Sequence, residues 1–150
     1  MGKRIIQQAR GKGGPAYRAK KSAFRLRIGY PMKEGEAEIL KIIHSGGHSA
    51  PLMKLLISDE IFYNPAFNFA VEGNKIKIGG NQIKIGNIVL IKNVPVGTKV
   101  YNIERNPGDG GKMIRAAGCS ALMHKKYLHN NFSVLMPNKK EVMLSGDCRV

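Results

Sequence analysis

An all-β fold is predicted for this 150-residue chain by three features. Short runs of alternating or wholly apolar residues recur along it, clusters of Gly, Pro and Asn separate them, and no long stretch has a helical period. The apolar fraction of 43% is close to the globular average, so a core is expected. No internal repeat or heptad is present. The longest apolar runs are only a few residues, so no membrane-spanning segment is predicted.

Residues 1–33 read as an extended basic arm. They hold ten Lys or Arg and no acid. Gly11, Gly13, Gly14 and Pro15 sit around Lys12 and forbid a stable helix. Lys3, Arg4, Arg10, Arg18, Lys20, Lys21, Arg25 and Arg27 surround that cluster, and a segment that repels itself so strongly orders only on a partner. Tyr17, Phe24, Leu26, Ile28 and Tyr30 are interleaved with the cations, which a plain solvated tail would not need. Phe24-Arg25-Leu26-Arg27-Ile28 alternates strictly, so a half-buried strand is expected there, with that end of the arm packed on the body.

Residues 34–94 read as a five-stranded barrel of the OB type. Strands are expected at Ala37 to Ile43, Leu52 to Ile57, Ile61 to Val71, Lys75 to Ile78, and Gln82 to Ile85 continuing through Ile91. His44 to His48 and Gly79-Gly80-Asn81 supply turns. Pro65 marks an edge strand or a bulge. Val94-Pro95-Val96-Gly97 is the expected boundary. Residues 95–150 then read as a second small barrel, SH3-like in size. Its expected strands are Lys99 to Ile103, Lys112 to Ala117 and Cys119 to His124, followed by a hairpin of Phe132 to Met136 and Glu141 to Leu144.

The formal charge is +15, which points to a polyanionic partner, nucleic acid before an anionic membrane. A membrane-surface protein would want a basic amphipathic helix, and Gly11 to Pro15 breaks the only candidate. The charge is unevenly placed. Residues 34–94 carry six bases and six acids, and residues 95–150 carry nine against four. The middle module is therefore expected to be a neutral spacer. Only Cys119 and Cys148 are present, without paired spacing, and no leader is read in Met1-Gly2-Lys3-Arg4, so a cytoplasmic protein without a disulfide framework is expected.

No catalytic group is predicted. His44, Ser45 and His48 have no neighbouring acid to orient a histidine. Cys119, His124, His129 and Cys148 lack zinc-site spacing. The loop Asn106-Pro107-Gly108-Asp109-Gly110-Gly111-Lys112 fails as a nucleotide-binding loop, since Asn106 stands where a Gly is needed and Met113 where Ser or Thr is. Two readings of that loop remain open on residues alone. Gly108, Gly110 and Gly111 can aim backbone N–H groups at a phosphate, with Lys112 and Arg115 alongside, or the segment is a long hairpin turn. Tyr17, among cations and beside the Gly-Pro stretch, is the aromatic expected to touch a base or sugar.

Several segments resemble one family. Gly2-Lys3-Arg4-Ile5-Ile6, Arg10-Gly11-Lys12-Gly13 and Tyr17-Arg18-Ala19 resemble the amino-terminal arm of the large-subunit ribosomal protein two family in its archaeal and eukaryotic form. Val94 to Gly97 through Tyr101-Asn102-Ile103-Glu104 resembles that family's interdomain segment. Pro107 to Lys112 with Arg115-Ala116-Ala117-Gly118 resembles its most distinctive motif, and Met136-Pro137-Asn138 and Cys148-Arg149-Val150 continue in register. Across residues 36–92 the likeness rests on order and length.

The resemblance implies an OB-like barrel and an SH3-like barrel on large-subunit ribosomal RNA near the peptidyl-transferase region. It implies neighbouring ribosomal proteins as further partners, support of subunit association and tRNA binding, and no small-molecule substrate. No cofactor is expected beyond magnesium that accompanies the RNA. It also favours the phosphate-contact reading of Gly108 to Lys112. Family members run on for many tens of residues past the Cys-Arg-Val point, so the second barrel is expected to lack its last strand and no residue here inherits the tail's role. The rival in the same class is a translation factor built from two such barrels, which the long basic arm fits poorly.

Overall fold

The computed structural model describes residues 11–15, 17–18 and 20–150, without the Lys21 side chain. The described chain is all-β. Strands β1 (Gly35–Ile43), β2 (Leu52–Ile57), β3 (Glu60–Pro65) and β4 (Lys75–Ile78) form an antiparallel sheet in the order β3-β2-β1-β4. Strands β5 (Lys99–Val100), β6 (Ala121–Lys126), β7 (Asn131–Leu135) and β8 (Glu141–Ser145) form a second, in the order β5-β6-β7-β8. Pro65 ends an edge strand, where its missing N–H costs no ladder bond.

β1 shows how an irregular pattern is reconciled with a pleated sheet. Ile39 and Ile42 are three apart, so strict alternation would send them to opposite faces. A bulge between Ile39 and Lys41 shifts the register, and Ile39 opposes Leu55 while Ile42 opposes Met53. Both isoleucines then pack on one core with Ala37, Met53, Leu55, Ile57, Phe62, Ile76, Ile78 and Ile88. The second core gathers Val89, Ile91, Val94, Val100, Ile103, Met123, Phe132, Val134, Leu144 and Cys148. Packing therefore passes from one core to the other between Ile88 and Val89.

Three expected strands are absent as strands. Lys21–Phe24 is a 3-10 turn, and within Phe24 to Ile28 only Ile28 bridges another strand, parallel to Tyr63. The two-residue period there reflects cations alternating with anchors, and no ladder. Gln82 to Ile85 is exposed and unpaired, and the first sheet gains only the single parallel bridge of Ile78 with Ile88. Lys112 to Ala117 is reduced to a bridge between Ile103 and Met113, because Ile114 takes φ 53° and turns the chain away. At the other end, residues 148–150 lie against 89–91. Val89 and Val150 exchange N–H···O bonds of 3.0 and 2.9 Å, and Ile91 N–H donates to Cys148 O at 2.8 Å.

Candidate nucleic-acid interface

The arm separates into a bristling part and a seated part. Lys12, Arg18, Lys20, Arg25 and Arg27 are exposed, and among the described residues none makes an ion pair. Tyr17 is 40% exposed, and its N–H and that of Arg18 both donate to Gly14 O. Lys3, Arg4 and Arg10, also expected to bind RNA, lie outside the described residues, as does the side chain of Lys21.

The seated part begins at the 3-10 turn. Ala23 O lies so close to Gly47 that a Cβ there would stand 2.3 Å from it, so only glycine permits the contact. Ser45 Oγ–H reaches the same carbonyl at 3.4 Å, and Phe24 meets the His48 ring edge-on at 6.0 Å. Ser45 Oγ and His48 Nδ1 are 2.8 Å apart, with no acid behind the histidine. Ser45 and His48 thus both contact the seated part of the arm. Gly29 N–H then donates to Tyr63 O at 3.1 Å, and Gly29 and Tyr30 pass over Gly110.

The Gly-rich loop does collect an anion, but the anion is the protein's own. Glu104 is fully buried. Its Oε2 accepts from Gly108 N–H at 3.2 Å and Arg149 N–H at 2.8 Å. Its Oε1 accepts from Gly110 N–H at 3.0 Å and from Arg149 Nε and Nη2 at 3.1 and 2.9 Å. The amides of Gly108 and Gly110 are thus already engaged, and Lys112 N–H donates to Ile103 O. Asp109 Oδ2 accepts from the N–H groups of Arg105 and Asn106 and tightens the turn. Outward the loop presents Asn106, Pro107, the Gly108 backbone and the exposed Lys112 side chain.

Arg115 is held inward. Its Nε donates to Asn102 Oδ1 at 3.3 Å and its Nη2 donates to the Gly111 carbonyl. Partial burial lowers its pKa from the ordinary value, offset by Tyr30 and Asp109. Arg149 closes the junction with the arm, donating from Nη1 to Pro31 O at 2.7 Å while its guanidinium lies 5.2 Å from the Tyr30 ring centre. Tyr30 Oη–H donates to Asn102 O at 2.6 Å. Burial, with Tyr101 and Glu104 adding, raises the Tyr30 pKa well above its ordinary value, and burial does the same for Tyr101.

Sequence reasoning missed Glu104, Arg149 and Tyr30 as one unit. The available signal was Glu104 itself, an acid three residues before the Pro107-Gly108 turn in a mostly basic module. Among the described residues no three His, Cys, Asp or Glu side chains group as metal ligands, and no helix is long and apolar enough to cross a membrane. A cleft of about 540 Å³ runs beside Phe67, Phe69, Ile85, Tyr101 and Cys119, mostly apolar in lining, with Lys84, Lys99 and Arg115 also along it.

Comparison with known proteins bears on the whole chain. The family model described as Ribosomal Proteins L2, C-terminal domain, matches residues 84–150. The large ribosomal subunit protein uL2 of Sulfolobus acidocaldarius is 37% identical over 156 residues, covering 99% of this chain and 64% of the relative. That of Sulfurisphaera tokodaii is 42% identical over 153 residues with the same coverage, and that of Archaeoglobus fulgidus is 35% identical over 157 residues, covering 99% of this chain and 65% of the relative. The chain thus spans a little under two thirds of the length of these curated relatives. With an all-β architecture of two antiparallel sheets, a match of residues 84–150 to the L2 C-terminal domain and an alignment running nearly end to end, the chain is similar along its whole length to the L2 family of ribosomal proteins.

Proposed function

We propose that this protein is a non-enzymatic constituent of the large ribosomal subunit in the cytoplasm. It binds large-subunit ribosomal RNA near the peptidyl-transferase region, packs against neighbouring ribosomal proteins, and supports subunit association, tRNA binding and translation. The relatives named above are large-subunit proteins, and the chemistry of this chain agrees with an RNA partner.

The observation that carries the reading is the division within the arm. Among the described residues Lys12, Arg18, Lys20, Arg25 and Arg27 project without carboxylate partners, while residues 28–31 are fastened to Tyr63 of β3, to Asn102 and to Arg149. A cationic leader rooted in a rigid body suits a crevice between RNA helices, where each Lys or Arg replaces condensed counterions. Lys3, Arg4, Arg10 and Lys21 extend the same run, Tyr17 supplies a surface for a base or ribose, and Lys112 beside Gly108, Gly110 and Gly111 reaches a further phosphate. Arg115 contributes by holding that loop in shape. Phosphate contacts position the protein without reading bases, so sequence preference is slight.

The test is binding to a folded large-subunit RNA fragment as salt is varied. The truncation must spare Tyr30 and Pro31, so residues 1–20 are removed. Log affinity for the full chain should fall with log salt at a slope of about minus five to minus nine. Removing Lys3, Arg4, Arg10, Lys12, Arg18 and Lys20 should cut the slope by about five. A truncated protein with unchanged affinity and slope would overturn the mechanism.

A further inference from the structure

The first sheet is neutral in sum, yet its outer face is not. Lys41 on β1 stands directly opposite Lys54 on β2, and Lys54 stands directly opposite Tyr63 on β3. Residues paired in this way share a face, with Cβ atoms about 5 Å apart. The partners of the core face are Ile42, Met53, Leu55 and Phe62, so the Lys41–Lys54–Tyr63 row lies on the opposite side. Like charges placed opposite each other destabilise a sheet. Among the described residues neither ammonium meets a carboxylate. Glu36 pairs with Lys77 at 3.7 Å, and Glu72, whose side chain reaches β1, accepts the Ile42 N–H at 2.8 Å. The row continues onto the arm, because Ile28 bridges Tyr63 and the exposed Arg25 and Arg27 come just before it. Ile61, paired with Leu56 on the same face, is 48% exposed.

We infer that this row is a second RNA-contact surface, distinct from the arm and the Gly-rich loop. Lys41 and Lys54 seat phosphates of one RNA strand, and the Tyr63 ring supports a base or ribose of that strand. The inference rests on the proposed RNA-binding function and adds to it a site on the module whose net charge argues for a spacer. Charge complementarity selects the occupant. Two unpartnered ammonium groups held together repel each other until a polyanion relieves them, and β2 and β3 provide the face that OB-type barrels present to oligonucleotides.

The experiment compares the full chain with a Lys41→Gln, Lys54→Gln double variant and a Lys41→Arg, Lys54→Arg control on one folded large-subunit RNA fragment. The glutamine variant should lower the magnitude of the salt slope by about two and weaken binding. Its thermal midpoint without RNA should be equal to or above that of the unaltered protein, because the repulsion is gone. The arginine control should bind as the unaltered protein does. An unaltered protein that binds alongside a glutamine variant with the same affinity and slope would overturn the inference and leave the arm mechanism standing. So would weaker binding accompanied by a lower midpoint, since the lysines would then be structural. Failure of the unaltered protein to bind would sink the RNA reading itself, and this one with it.

Discussion

Arg149 donates to Glu104 through its Nε, its Nη2 and its own backbone N–H, at 3.1, 2.9 and 2.8 Å. The carboxylate is fully buried, and the same guanidinium extends Nη1 to Pro31 O. One arginine therefore ties the Gly-rich loop, the end of the arm and residues 148–150 together. A buried charge left without its partner is costly, so Arg149→Met should destabilise the protein by about 3–5 kcal/mol. Glu104→Gln retains an acceptor for one amide but loses the charge, and should be destabilising as well. The double variant should cost less than the two single losses added together, because neither side chain then strands the other. Urea unfolding of the four proteins checks this, and strict additivity would show that the pair is not a unit.

The same junction makes the fold sensitive to alkali. Burial, and next the neighbouring Glu104, push the Cys148 thiol up to about 11 from its ordinary 9.0. Tyr30 and Tyr101 are raised above 10.0, each mainly by burial. A group whose folded value is raised contributes its stability below the unfolded value and loses it as pH rises through the folded one. These three groups should therefore contribute fully up to about pH 9, after which stability declines, first through Cys148 and then through the tyrosines. Each proton the unfolded chain releases ahead of the folded one steepens the decline by about 1.4 kcal/mol per pH unit. Tyr101 Oη–H donates to Pro65 O at a long 3.4 Å, so Tyr101→Phe should cost little at pH 7. Its urea midpoint should fall less steeply than that of the unaltered protein between about pH 10 and about pH 11. Parallel curves would exclude Tyr101 from the effect.

Much of this architecture was legible in residue patterns, and the exceptions share a cause. Leu52–Ile57 and Lys75–Ile78 fall where apolar runs or alternation place them, because each meets a neighbouring strand along its whole length. Gln82 to Ile85 alternates just as well but has no neighbour, since the chain is leaving the first sheet for the second core. Periodicity reports a face suited to a sheet, and says nothing of a partner being present. The RNA-binding candidates divide in a similar way. Lys12, Arg18, Lys20, Arg25, Arg27 and Lys112 are exposed, as their charge suggests. The anion that Gly108 and Gly110 hold was not legible, because Arg149 lies 45 residues along the chain from Glu104. Lys41 and Lys54 were hidden for a simpler reason. A net charge of zero over a module conceals how its charges are distributed between faces, although their equal spacing about the turn between Ile43 and Leu52 contains the register.

The Gly-rich loop offers a test of which glycines are structural. Gly108 and Gly111 both lie in the left-handed region, at φ 82° and 76°, which costs another residue about 1–2 kcal/mol. Their surroundings differ. A Cβ on Gly108 meets nothing within 4 Å, whereas one on Gly111 stands 2.5 Å from both the backbone O and Oδ1 of Asn102. Those two oxygens accept from Tyr30 Oη–H and Arg115 Nε, so Asn102 cannot move aside without loosening the arm and the loop. Gly108→Ala should therefore lose only the conformational cost, about 1–2 kcal/mol. Gly111→Ala should lose more than 3 kcal/mol, on the order expected when a steric clash is added to a broken buried hydrogen-bond network. Denaturant unfolding measures both. Tyr30 fluorescence and its alkaline titration report on the junction, and in Gly111→Ala the Tyr30 hydroxyl should ionise closer to its ordinary range. Equal losses for the two variants would mean that backbone conformation alone, without the Asn102 contact, decides the role of these glycines.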